Sequence, residues 1–305
     1  MKGRNEIMIE VKNVTKRFGD FVALNGASIN VEKGSVYGLV GPNGAGKTTV
    51  IKCMAGIYRQ DGGSVMVDGK PVYENEEIKS RLAYVSDDLY FFPGYSIKDT
   101  AAYYRSIYPR WSDERFKEIA DVFKIDEKRG VRRLSKGMQK QVAFWLGLAT
   151  CPDVMILDEP MDGLDPVMRR NVWNLMLAEV ANRGMTVLVS SHNLRELEDV
   201  CDHVGIMNKG RIAIEKALDE VKGNIHKVQT AFAKGLPDEL KKSLDILKHE
   251  KVGSVDMLIV RGGSDEITGK IKMFSPLLLD VVPLTLEEVF IYELGGMGYE
   301  LEIIG

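Results

Sequence analysis

Cysteine is scarce in this 305-residue chain, and Cys53, Cys151 and Cys201 stand far apart. No pair has metal-ligand or redox spacing, so a disulfide scaffold is excluded and the three are expected to be packing thiols in a reducing compartment. Long apolar runs are lacking too. The most apolar stretch, "FSPLLLDVVPL", is broken by Asp280 and two prolines, well short of the ~20 residues a membrane-spanning helix needs. The opening "MKGRNEIMIE" carries no apolar run of signal-peptide length. A soluble protein is expected, with any membrane role supplied through a partner. An excess of positive charge is also missing: 41 Lys and Arg against 44 Asp and Glu leave a net charge of -3. Nucleic acid is therefore not an expected partner.

What the chain does have is 45% hydrophobic content, enough for one large domain with an appendage or for two modest ones. "MIEVKNVTKRF" alternates apolar and charged residues as a half-buried strand does, whereas "VYGLVG" is continuously apolar or small, as a strand covered on both faces would be. Between about Ser96 and Lys124 the pattern turns helical, with Phe116, Ile119, Ala120 and Phe123 on one face. Tyr103, Tyr104, Tyr108 and Trp111 are expected to serve core or inter-helix packing. "DVMILDEP" and "MTVLVSSH" read as buried strands around a helical "VMRRNVWNLMLAEVANRG", the alternation of a parallel α/β sheet. A hairpin through Asn208 to Gly210 follows. After about Val221 the texture becomes that of a small α+β domain, closing on "TLEEVFIYELGG" with a Thr285/Glu288 capping box.

The densest motif is "GPNGAGKTT", residues 41–49, which fits G-x-x-x-x-G-K-[ST] between a predicted strand and a predicted helix. Glycines let successive backbone N–H groups converge on phosphate oxygens, and the helix N-terminus adds partial positive charge. Gly41, Pro42, Asn43, Gly44, Ala45, Gly46, Lys47, Thr48 and Thr49 are thus expected to cradle a nucleotide. Lys47 reaches toward the β and γ phosphates and the Thr48 hydroxyl toward Mg²⁺. Such a loop calls for an acid at the end of a neighbouring buried strand, and Asp158 supplies it. The adjacent Glu159 stands where it can polarise a water toward the γ phosphate, and His192, at another strand exit, is the candidate sensor of that phosphate. "RRLSKGMQKQ" has the makings of a helix start suited to an anion, yet its neighbours in sequence supply none.

In this order, these elements resemble the nucleotide-binding subunit of an ATP-binding cassette (ABC) transporter over roughly residues 7–220. The resemblance implies a P-loop NTPase of ABC type, residues 1–221, with an N-terminal antiparallel β subdomain and a helical signature subdomain at about 90–150. A small accessory domain, 222–305, follows. It also implies two cassettes closing head to tail on two ATP molecules, so that Ser135 and Gly137 touch the γ phosphate held by a second copy or a close relative and Asp165 links the half-sites. Glu159 matches the family's general base and His192 its switch histidine. Phe18 falls where the family usually has a tyrosine stacked on adenine. The implied cofactors are ATP and Mg²⁺. The implied partners are transmembrane permease subunits, and the implied place is the inner face of the cell membrane. The LSKGM signature and the tail resemble bacterial exporters.

Two departures stand out. The usual LSGGQ reads LSKGM, with Lys136 and Met138 in place of a glycine and a glutamine. The family's metal-approaching glutamine falls at Asp87 in "SDDLYFFPG", with Asp88 and Ser86 as alternatives. If that alignment holds, Asp87→Gln is expected to be tolerated. A cassette ATPase acting on ribosomes or nucleic acid would be expected to show tandem cassettes or a coiled coil. A regulator without hydrolysis would not be expected to keep Lys47, Asp158, Glu159 and His192 together.

Overall fold

The computed structural model describes residues 6–218, 225–282, 284–285, 287–289 and 292. They fall into two compact units, Met1–Asn193 with Val200–Glu215, and Leu194–Asp199 with Lys216–Gly305. The boundary expected at 221/222 lies outside the described residues.

In chain order the first unit contains β1 (Ile7–Phe18), β2 (Phe21–Glu32), β3 (Val36–Val40), α1 (Lys47–Met54), β4 (Gly62–Val67), β5 (Lys70–Pro71), α2 (Glu76–Lys79) and β6 (Leu82–Val85). Next come α3 (Ile97–Ile107), α4 (Asp113–Phe123), α5 (Lys136–Ala149), β7 (Val154–Leu157), α6 (Pro166–Arg183), β8 (Thr186–Ser191) and β9 (His203–Asn208), with β10 (Arg211–Ala217) running out of it. The alternation in β1 buries Ile9 and Val11 completely while Lys12 faces out, and β1 pairs antiparallel with β2 and β4 in a sheet ordered β2-β1-β4-β5.

The second sheet is ordered β10-β9-β3-β8-β7-β6. Its β9-β3-β8-β7-β6 part is parallel, and every residue of β3, β7 and β8 is buried, as strands covered on both faces require. Strand exits on one edge of such a sheet gather whatever follows them.

The helical region between β6 and β7 splits the aromatic cluster. Tyr104 stacks on Tyr108 at 5.4 Å, Trp111 tilts against Phe116 at 5.4 Å, and Phe116 stacks at 4.6 Å on the fully buried Trp145 of α5. Tyr103 instead stays half exposed beside Phe92. Ser96 starts α3 with a reciprocal capping box to Asp99, satisfying amides that the helix leaves without partners. Cys53 and Cys201 are buried and Cys151 is partly so; burial pushes the Cys53 thiol up to about 11, the behaviour of a packing residue.

The second unit runs β11 (Ile225–Ala231), α7 (Asp238–Ser243), β12 (Asp245–Val252), β13 (Val255–Arg261), α8 (Ser264–Lys272) and β14 (Leu278–Val282). The strand order is β12-β13-β11-β14 with every neighbouring pair antiparallel. This βαββαβ arrangement is ferredoxin-like, with Val228, Leu240, Leu258, Val260, Ile267 and Ile271 in its core. The Thr285 amide donates to Glu288 and the Glu288 amide to Thr285 Oγ1, at 3.0 and 3.2 Å, so the capping box is present. Val289 beyond it is fully buried. Leu286, Phe290 and Leu294, expected on the same helix face, lie outside the described residues. Among the described residues no helix is long and apolar enough to cross a membrane.

Candidate active site

Four adjacent parallel strands deliver the candidate residues to one sheet edge. Gly41 follows β3, His192 follows β8, Asp158 and Glu159 follow β7, and Asp87 comes two residues after β6. The residues from Pro42 to Thr49 line a cavity of about 270 Å³, together with Phe21, Ala23, Asp87 and Glu159. The glycines are sterically dictated: a Cβ on Gly41 would stand 2.3 Å from the Met207 carbonyl oxygen, and one on Gly46, at φ +108°, 2.8 Å from that of Ala23. No side chain fits at either position without moving backbone.

Lys47 is buried, yet its ammonium is well supplied. It donates to the Gly41 carbonyl at 2.6 Å and lies 3.2 Å from Glu159 Oε1. The other oxygen of Glu159, Oε2, is 2.9 Å from His192 Nδ1 and accepts from the His192 amide at 3.2 Å. The Glu159 carboxylate is thus held at both ends, on a backbone with φ 46°, a left-handed conformation that a non-glycine residue keeps only when its surroundings impose it. Its hydrogen bond to Glu159 raises the His192 pKa above the ordinary histidine value.

Asp158 is 1% exposed. Its Oδ1 accepts from Ser190 Oγ at 2.8 Å, while Oδ2 is buried with no hydrogen-bond partner. Burial raises its pKa, against the opposing effect of the Ser190 and Thr48 hydroxyls. A buried carboxylate oxygen left unpaired beside a threonine hydroxyl is costly to a protein alone and suits a hard cation.

The other candidates lie elsewhere. Ser135 is exposed and caps α5, accepting from the Met138 amide at 3.3 Å. Asp165 caps α6, accepting from the Val167 and Met168 amides, both at 3.0 Å. Gly137 packs against Gly163 in the loop between β7 and α6. Lys136 lines a second cavity of about 490 Å³ with Asp87, Asp88, Gln139, Lys140 and Asp162. Phe18 is exposed, edge-on to Tyr58 at 5.5 Å with the Lys16 ammonium 5.6 Å over its ring; the aromatic residue lining the cradle cavity is Phe21.

Phe21, Ser190, Lys140 and Asp162 were missed in the sequence reading. Asp162 lies with Glu159 and His192 in a group whose candidate ligand atoms are all within 4.8 Å of one another. A signal for Ser190 was present: it is the first of two serines that end β8 after the apolar Val187–Val189, level with the acids that follow β7.

Residues 24–162 match the sequence pattern of the ABC transporter family. The ABC transporter ATP-binding protein YtrB of Bacillus subtilis is 30% identical over 95% of this chain and 99% of its own length. The chain belongs to the ATP-binding subunits of ABC transporters. An uncharacterized ABC transporter ATP-binding protein of Nostoc is 35% identical over 76% of this chain and 71% of its own length. A solved nucleotide-free ATP-binding cassette from an ABC transporter superposes with a TM-score of 0.59 at 26% identity, over 69% of this chain and 91% of that one. This ABC subunit binds and hydrolyses ATP.

Proposed function

We propose that this ABC subunit works as one half of a head-to-tail pair, docked on membrane-spanning subunits at the cytoplasmic face of the membrane and driving export. The observation that carries this reading is a difference in placement: Lys47, Asp158, Glu159 and His192 converge on one sheet edge, whereas Ser135, exposed at the start of α5, is not among the residues that line the cradle cavity. An anion site without an anion in its own chain fits the phosphate held by a second copy.

In this reading the backbone of residues 41–49 and Lys47 hold the triphosphate. Thr48 and Asp158 hold Mg²⁺, with Asp87 near it; the metal when bound neutralises charge on the phosphate oxygens. Glu159 accepts the proton of the attacking water. His192 fixes the Glu159 carboxylate in place and, through its exposed face, senses the γ phosphate. Asp165 fixes the start of α6 and so the loop that faces the second copy.

Tyr90 is 76% exposed, and Phe92, Tyr95 and Tyr103 are half exposed with their rings in mutual contact. Beside them Lys98, Lys128, Arg132 and Arg133 border a hollow of about 600 Å³. Aromatic residues with arginine make an apt protein-docking surface, here for the membrane-spanning partner. The test is the mass of the purified chain with ATP. Wild type should form dimers, Ser135→Arg should stay monomeric while still binding ATP, and dimerisation of Ser135→Arg would overturn the head-to-tail arrangement.

A further inference from the structure

Lys140 stands on α5, five residues after Ser135, and has no place in the site as the sequence defines it. Its ammonium is buried, at 6% exposure for the residue, and reaches oxygens on two different loops. It donates to the Glu159 carbonyl at 2.8 Å and to Asp87 Oδ1 at 3.2 Å. The first contact fixes the backbone of the one site residue held at φ 46°. The second sets a positive charge against a carboxylate that lines the phosphate cradle.

Each partner makes sense only with the other. A lone carboxylate at position 87 would repel the triphosphate that the cradle is built to hold, and a lone buried ammonium at position 140 would lose its counter-charge. We propose that Asp87 and Lys140 act as one neutral positioning unit: Lys140 cancels the charge of Asp87 at the cradle and pins the Glu159 backbone to the signature helix. Because the same helix begins at Ser135, a shift imposed there reaches Glu159 directly through this side chain. The inference rests on Glu159 being the base.

The experiment compares the full chain with Asp87→Gln, Lys140→Gln and the double variant. It measures the nucleotide-free melting temperature, ATP affinity, kcat and KM. Asp87→Gln leaves the buried ammonium without its counter-charge, so melting should fall by a few degrees and kcat by about 10-fold, with KM within about twofold of wild type. Lys140→Gln frees the Asp87 charge, so ATP affinity should fall by about 10-fold and kcat should fall as well. The double variant, neutral at both positions, should recover ATP affinity to within about threefold of wild type while kcat stays reduced, because the Lys140 contact to Glu159 is lost; the recovered affinity is the non-additive result expected of groups that act together. Asp87→Asn, at an exposed side chain, is the second probe and should behave as Asp87→Gln does.

An ATP affinity in the double variant as low as that of Lys140→Gln, or a single Asp87→Gln indistinguishable from wild type in melting and turnover, would overturn the proposal. Glu159→Gln in the same assay keeps the two readings apart. Retained turnover there removes the base assignment, while melting and ATP affinity still judge the Asp87–Lys140 unit.

Discussion

Gly137 and Gly163 approach so closely that a Cβ on Gly137 would stand 2.5 Å from the Gly163 carbonyl oxygen. The signature helix and the loop after β7 are therefore in backbone contact within one chain. The glycine that the resemblance assigns to a phosphate in a second copy is also demanded at home.

Gly137→Ala forces that contact apart, and backbone cannot yield as a flexible side chain can. A loss of about 1–3 kcal/mol is expected from overpacking of this kind, read as a lower midpoint in thermal melts without nucleotide. An unchanged midpoint would leave Gly137 with only its role toward a second copy.

Ser135 has one observed role and one proposed role, and they separate cleanly. Its hydroxyl caps α5, and its exposure offers the same group to an incoming phosphate. Ser135→Asp keeps an oxygen able to cap and opposes the phosphate with charge. It should melt within about two degrees of wild type and lose ATP-driven dimerisation. Loss of both, or of neither, counts against the assignment.

Ser190 is fully buried and serves two partners, donating to Asp158 Oδ1 at 2.8 Å and accepting from the Glu159 amide at 3.0 Å. Ser190→Ala leaves both without it, at an expected cost of about 1–3 kcal/mol. Since the orientation of Asp158 and Glu159 goes with it, kcat should fall further than the stability loss alone explains. Chemical denaturation and steady-state kinetics on the same preparation decide this.

The His192–Glu159 hydrogen bond carries a sign in pH. The contact raises the histidine pKa above its ordinary value of 6.5, so its stabilisation is complete below that unfolded value and is lost as pH rises through the folded one. The difference in melting temperature between wild type and His192→Ala should therefore shrink as pH rises above 6.5. The half-exposed ring keeps the effect small. A difference constant over that range contradicts the ion-paired reading.

The phosphate cradle was legible because its chemistry is contiguous: one loop of nine residues contains the glycines, the lysine and the hydroxyls. Asp158, Glu159 and His192 were legible because each ends an apolar strand, and parallel strands bring such ends together. Lys140 was hidden by helical periodicity, which offers no warning that a lysine among exposed-looking residues will point inward to two distant loops. Its pairing with Asp87 at 3.2 Å bears on one expectation: under the proposal Asp87→Gln is costly, where the family's glutamine alone suggested tolerance. Phe18 and Phe21 flank a two-residue turn, and only the folded hairpin distinguishes the ring on Tyr58 from the ring at the cradle. In the second unit the mixed strands and helices were readable. The β12-β13-β11-β14 order was not, because strand order depends on pairings far apart in sequence.

Glu159, held between Lys47 at 3.2 Å and His192 at 2.9 Å, is proposed to activate the attacking water. Glu159→Gln preserves the shape of the side chain and removes its basicity. Turnover should fall by roughly 100-fold or more, while ATP binding stays near wild type and the ATP-bound dimer accumulates. Turnover within twofold of wild type would contradict the account.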